Sequence, residues 1–200
     1  MNIKIIKYSF SALMLLALCS CSVNNKDNIT VNNSNGYEQI LELQGITFHI
    51  KATNSGSINQ LEITPSGLAI DNSIIKQEIE GSVSAAEIAD LNADGSPEIY
   101  IYISSAGSGS YTDLIAYSSN NKKSLSDIYL PVLSDDPVNS KGYMGHDEFA
   151  VVENILARRF PVYKAGDTNS APTGGMRQLQ YKLVAGEASW VLKLDKTVSF

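Results

Sequence analysis

Apolar and polar residues alternate with a period of two over much of this chain, the pattern of strands with one buried face. Ile46-Thr47-Phe48-His49-Ile50 alternates, Leu61-Glu62-Ile63-Thr64 follows a Gly/Ser/Asn turn, and Ile74–Ile79 (IIKQEI) comes next. The sharpest run is Glu98-Ile99-Tyr100-Ile101-Tyr102-Ile103, with isoleucines on one face and tyrosines on the other. That spacing predicts buried isoleucines and a tyrosine face that is partly exposed. Thr112–Ser118 (TDLIAYS) is expected to pair with this strand as a hairpin through a Gly/Ser-rich link. Ser126–Leu133 continues as a strand, and Pro131 near its end suggests a sheet edge, because proline donates nothing to a ladder.

Ser134–Glu148 carries turn residues throughout and reads as a long loop. Phe149–Tyr163 (FAVVENILARRFPVY) fits two periods. Phe149, Val152, Ile155 and Leu156 would share a helical face; Val151, Glu153, Ile155 and Ala157 would alternate in a strand. Its β-branched content and its β surroundings favour strand. A second loop spans Gly166–Gly175, and Gln178–Leu183 and Trp190–Leu194 close as a hairpin around Ala185-Gly186-Glu187. The expected fold is all-β, an antiparallel β-sandwich or flattened barrel of about eight to ten strands.

The start of the chain follows neither period. Lys4 and Lys7 precede an uncharged stretch, Tyr8–Cys21, with Phe10–Leu18 (FSALMLLAL) strongly apolar. The run is shorter than the roughly twenty residues that span a bilayer, and it reads as a secretory signal. Leu18-Cys19-Ser20-Cys21 resembles a bacterial lipobox, which implies cleavage before Cys21 and lipidation of that thiol. Ser22–Gly36 (SVNNKDNITVNNSNG) has the composition of a flexible tether. The domain organisation is therefore a lipoprotein signal peptide at 1–20, a lipidated Cys and tether at 21–36, and one β-rich domain at 37–200. The expected location is the bacterial envelope, in the outer membrane facing the periplasm.

Composition narrows the function. The chain has a net charge of -6, two Cys and two His. An acidic chain offers no footprint for nucleic acid and suits a basic partner. Few Cys and His leave little scope for zinc or for a His-assisted nucleophile, so the chain does not look like an enzyme. Loss of residues 1–20 removes Lys4 and Lys7 and makes the remainder more acidic.

Two motifs could carry chemistry. In Asp90-Leu91-Asn92-Ala93-Asp94-Gly95-Ser96-Pro97-Glu98, the oxygens of Asp90, Asn92, Asp94 and Glu98 and the glycine follow the spacing of a calcium loop. The EF-hand form fails, because its twelfth position is Ile101. A β-type structural calcium loop remains, beside the alternative of an Asx-rich turn. No other cofactor is expected. Ala106-Gly107-Ser108-Gly109-Ser110-Tyr111 links the two hairpin strands. Its register is wrong for a G-x-S-x-G nucleophile elbow, and no Gly-Lys-Ser/Thr follows as in a P-loop.

Asp90–Ser118, with Asp90-Leu91-Asn92-Ala93-Asp94-Gly95 and Ser108-Gly109-Ser110-Tyr111, resembles the bacterial periplasmic lysozyme inhibitors, closest to those of invertebrate-type (i-type) lysozyme. Phe149 and Arg159-Phe160-Pro161-Val162-Tyr163 look like the same family, so that the resemblance extends over about Tyr37–Phe200. It implies an antiparallel β fold, a homodimer, a lysozyme as partner, and a Ser108, Gly109, Ser110, Tyr111 loop that enters the lysozyme cleft. It also makes the Tyr100/Tyr102 face a candidate dimer surface. Inhibitors of chicken-type lysozyme carry Tyr-x-x-x-Lys-Gly; here Tyr181 is followed by Ala185-Gly186, with no lysine to meet a cleft carboxylate.

The leading expectation is an envelope-anchored lysozyme inhibitor. The alternative is a calcium-stabilised β-rich surface lipoprotein for adhesion or glycan binding. Smaller features have plainer readings. His49 is a structural strand residue, Asp135-Asp136 a turn before Pro137, and Trp190 a core residue. Arg158 and Arg159 should point to opposite faces, and contiguous His146, Asp147 and Glu148 cannot easily share one ion.

Overall fold

The computed structural model describes residues 30–33 and 36–200. The expected signal peptide, Cys21 and the first part of the tether lie outside these residues. The described chain is all-β, as expected, with thirteen strands and two short 3-10 turns.

The first sheet is a five-stranded antiparallel meander of β1 (Thr30–Asn33), β2 (Gly36–Leu43), β3 (Ile46–Ala52), β4 (Ile58–Ser66) and β5 (Ile75–Glu80). β1 lies inside the stretch read as tether and pairs with β2 from Thr30↔Gln39 to Asn33↔Gly36. The second sheet comprises β6 (Ser82–Ala89), β7 (Glu98–Ser104), β8 (Thr112–Ser118), β9 (Ser126–Tyr129), β10 (Glu148–Val152), β11 (Ile155–Pro161), β12 (Met176–Ala185) and β13 (Trp190–Ser199). Its eight strands are ordered β10-β11-β12-β13-β9-β8-β7-β6. Every pairing in it is antiparallel except the short one between β13 and β9. Its two ends meet: the Val151 N–H of β10 donates to Glu87 Oε2 of β6 at 2.8 Å, and the Tyr102 hydroxyl donates to the same oxygen. The sheet is thus nearly closed into a barrel, with the meander packed on its outside. Both halves of the sandwich-or-barrel expectation are present in one molecule.

Two hydrophobic cores meet at β7. Ile99, Ile101 and Ile103 pack against Leu41, Phe48, Ile50, Leu61 and Ile63 of the meander. Tyr100 and Tyr102 pack inside the barrel with Leu156, Phe160, Leu179 and Leu192. The expectation of a partly exposed tyrosine face, or of a dimer surface there, is corrected: Tyr100 is 0% and Tyr102 4% exposed. The period assigned the faces correctly, but a second layer covers the face that a simple sandwich would leave in water.

The other differences have similar causes. β9 ends at Tyr129 and lies between β8 and β13, so the edge inferred from Pro131 is corrected; Pro131 falls just beyond the strand. Phe149–Tyr163 is neither one helix nor one strand but the β10–β11 hairpin, turning at Glu153-Asn154, where Glu153 has a φ of 54°. β6 escapes the sequence pattern because its SVSAAEIA run is small and polar and shifts register between Val83 and Ala85. The expected β7–β8 hairpin is present, and its register runs from Glu98↔Ser118 to Ser104↔Thr112.

Candidate functional site

The Ser108–Tyr111 loop caps the β7–β8 hairpin. Ser108 and Ser110 are exposed, and the Tyr111 ring is 45% exposed. The loop closes on itself: Ser110 N–H donates to Gly107 O at 3.0 Å, Ser105 N–H to Tyr111 O at 2.8 Å, and Tyr111 N–H to Ser105 Oγ at 3.1 Å. Ser110 adopts a φ of 42°, an uncommon conformation for a residue other than glycine. The Tyr111 ring lies over Gly109, where a Cβ would collide with it, and meets the Tyr143 ring edge-on at 5.6 Å. Glycine at 109 thus makes room for the aromatic side chain two residues later.

A buried charge cluster holds the foot of the loop. Thr112 donates its N–H to Asp147 Oδ2 at 3.3 Å and its hydroxyl to Asp147 O at 2.8 Å. Asp147 is paired with Arg158 at 3.0 Å, their side chains 0% and 8% exposed, and accepts the Tyr143 hydroxyl at 2.6 Å. Arg158 Nη2 also donates to the Tyr143 oxygen at 2.8 Å. Burial raises the Tyr143 hydroxyl well above its usual range, and the Asp147 carboxylate it serves raises it further. Arg158 therefore points inward while Arg159 is exposed and binds Gln178, as strand alternation requires. Asp147 is committed to Arg158, Tyr143 and Thr112, and the His146 ring turns to Asn169 at 3.2 Å. His146, Asp147 and Glu148 do not converge. Two clefts, of about 630 and 400 Å³, both reach Thr112 at the foot of the loop, and Ser110 lines the smaller one.

The Asp90–Glu98 segment leads into β7. Asp90 accepts N–H groups from Asp94 at 3.0 Å and Gly95 at 2.9 Å, and Asp94 accepts Ser96 N–H at 2.8 Å. Asn92 accepts Asp94 N–H at 3.1 Å. These are the bonds of an Asx-rich turn. One carboxylate oxygen each from Asp90, Asp94 and Glu98 nevertheless lies within 4.8 Å of the others, so among the described residues this is a group that could hold a cation; Asn92 donates to Asp94 instead, at 3.0 Å. Glu98 is fully buried, accepts the Leu91 N–H at 2.9 Å, and its pKa is pushed up to about 8 by burial, helped by the charges of Asp90 and Asp94.

The remaining sequence candidates are structural. His49 bonds Glu38 Oε1 at 2.7 Å along the β2–β3 pair. Asp136 accepts the N–H groups of Val138 and Asn139, the expected turn. Trp190 is half-buried against the barrel core and donates Nε1–H to Asn120 at 2.9 Å. Tyr181 is 4% exposed inside the barrel, so the Tyr181…Gly186 run presents no tyrosine to a partner. Sequence reasoning missed the parts of two distant loops that touch Ser108–Tyr111. These are Gly145–His146, which the sequence offered only as part of a weak metal candidate, and Asn169, whose only sequence signal is the glycine content of its loop.

Comparison with known proteins adds one match. No curated protein and no solved structure matches this chain. The matched span runs from before β5 to beyond β9 and contains the Asp90–Glu98 turn and the whole Ser108–Tyr111 loop, while Phe149–Tyr163 lies outside it. Residues 70–138 match the family model described as periplasmic lysozyme inhibitor of I-type lysozyme, and over that segment the chain is similar to that family.

Proposed function

We propose that this chain is an envelope-anchored inhibitor of lysozyme, the i-type favoured, and that it acts by placing Ser108–Tyr111 in the lysozyme cleft. The observation that carries the reading is a braced, exposed Ser-Gly-Ser-Tyr hairpin loop inside the segment that matches the inhibitor family. A lysozyme cleft holds a protonated and an ionised carboxyl group on either side of the scissile bond. The hydroxyls of Ser108, Ser110 and Tyr111 donate to such oxygens in charge-assisted hydrogen bonds, the stronger kind. Tyr111 adds a rigid aromatic anchor, the side chain most typical of interface hot spots. The acidic chain draws in a basic enzyme. Inhibition by occupancy needs no catalytic group on this side of the interface. Cys21 would fix the protein to the periplasmic face of the outer membrane, and two or three acyl chains suffice for stable anchoring.

The test is a cell-wall lysis assay in which the domain is titrated against i-type, chicken-type and goose-type lysozymes. Inhibition of the i-type enzyme is expected; inhibition of none overturns the reading. The second reading, a calcium-stabilised surface lipoprotein, draws on the Asp90, Asp94 and Glu98 oxygens. Chelation separates the two: it unfolds or inactivates a calcium-dependent protein and leaves a loop inhibitor at full strength.

A further inference from the structure

We propose that Asn169 and the Gly145–His146 turn are positioning residues, which hold Ser108–Tyr111 in the shape it presents; this rests on the inhibitory reading of that loop. The loop is built from glycine and serine, so left to itself it samples many backbone states. Two successive carbonyls of the loop are gripped from outside. Asn169 Nδ2 donates to Ser108 O at 2.7 Å, and His146 N–H donates to Gly109 O at 2.7 Å. The two clamps are themselves joined, His146 Nε2 to Asn169 Oδ1 at 3.2 Å, and the Tyr163 hydroxyl fixes Asn169 O at 2.8 Å. Gly145 sits at a φ of 88°, and a Cβ there would strike the Gly109 carbonyl oxygen. Glycine is therefore required for the turn to come this close. Asn169 is exposed and packs in neither core, so its side chain is free for this task.

A loop that is competent only part of the time binds in proportion to its competent fraction. The net worth of one such hydrogen bond sets the expected change at roughly three- to tenfold. Asn169→Ala should speed amide exchange at Ser110 and His146 by that factor and leave the thermal midpoint unchanged. It should weaken inhibition of an i-type lysozyme by the same factor, through slower association. Gly145→Ala should do both more strongly. Unchanged exchange at Ser110 and His146 in both variants would overturn the proposal. So would faster exchange with inhibition intact. If the wild-type domain inhibits no lysozyme, the inhibitory reading fails by itself, while the exchange rates still decide whether these residues hold the loop.

Discussion

Tyr111, Glu98 and Arg158 are placed by different forces and make separate predictions. Tyr111 is an exposed ring supported by Gly109 and Tyr143. As the anchor of the proposed interface, its loss in Tyr111→Ala should cost about 2 kcal/mol or more of binding, roughly thirtyfold in the inhibition constant. An unchanged constant removes the loop from the interface. Glu98 holds its proton to a higher pH folded than unfolded, about 8 against 4.5. Its contribution to stability is complete below about pH 4.5 and is lost as pH rises toward 8. The melting temperature should fall between pH 5 and 8, and Glu98→Gln, which carries no charge, should flatten that slope. Calcium offers a second check. If Asp90, Asp94 and Glu98 only make a turn, added calcium leaves the melting temperature unmoved at pH 8. Arg158 and Asp147 neutralise each other under the loop. Arg158→Ala strands a buried carboxylate and should cost about 3–5 kcal/mol, read from a denaturation midpoint.

β7 shows what an element can and cannot reveal about itself. Its alternation separated isoleucines from tyrosines, and the run after its Gly/Ser-rich link marked β8 as its hairpin partner. The fate of the tyrosine face depended on β11, β12 and β13, strands 50 or more residues away in the chain, which close the barrel over it. Ile101 is 0% exposed between the meander and the barrel, so Ile101→Ala should destabilise the fold by about 2–5 kcal/mol, seen as a lower denaturant midpoint with the slope retained. β9 teaches the same lesson in reverse. Pro131 marks the end of a strand, yet nothing in a four-residue strand states that β13 runs parallel beside it. The Ser134–Glu148 and Gly166–Gly175 segments read as plain loops. Their importance lies in bringing Gly145, His146 and Asn169 to the Ser108–Tyr111 loop.

At the scale of the molecule, the two-layer arrangement lets one strand serve two cores without any disulfide among the described residues, while Ser108, Ser110 and Tyr111 of the β7–β8 loop stay exposed. The net charge of -6 acts at long range. Association with a basic lysozyme should slow as salt is raised, whereas dissociation should change little; an association rate indifferent to salt would deny the steering. The sequence by itself determined the β class, most strand positions, the β7–β8 hairpin and the loop at its tip, because alternation and turn chemistry are local properties written in neighbouring residues. It also carried the family resemblance, whose Asp90–Gly95 and Ser108–Tyr111 motifs lie inside the matched 70–138, while Phe149 and Arg159–Tyr163 lie outside it. Only the tertiary structure decided the near closure of the barrel, the burial of Tyr100 and Tyr102, the pairing of Asp147 with Arg158 and the clamp of His146 and Asn169 on the loop. Each of these joins residues far apart in the chain. Such contacts depend on how the two sheets pack, and no local period encodes that.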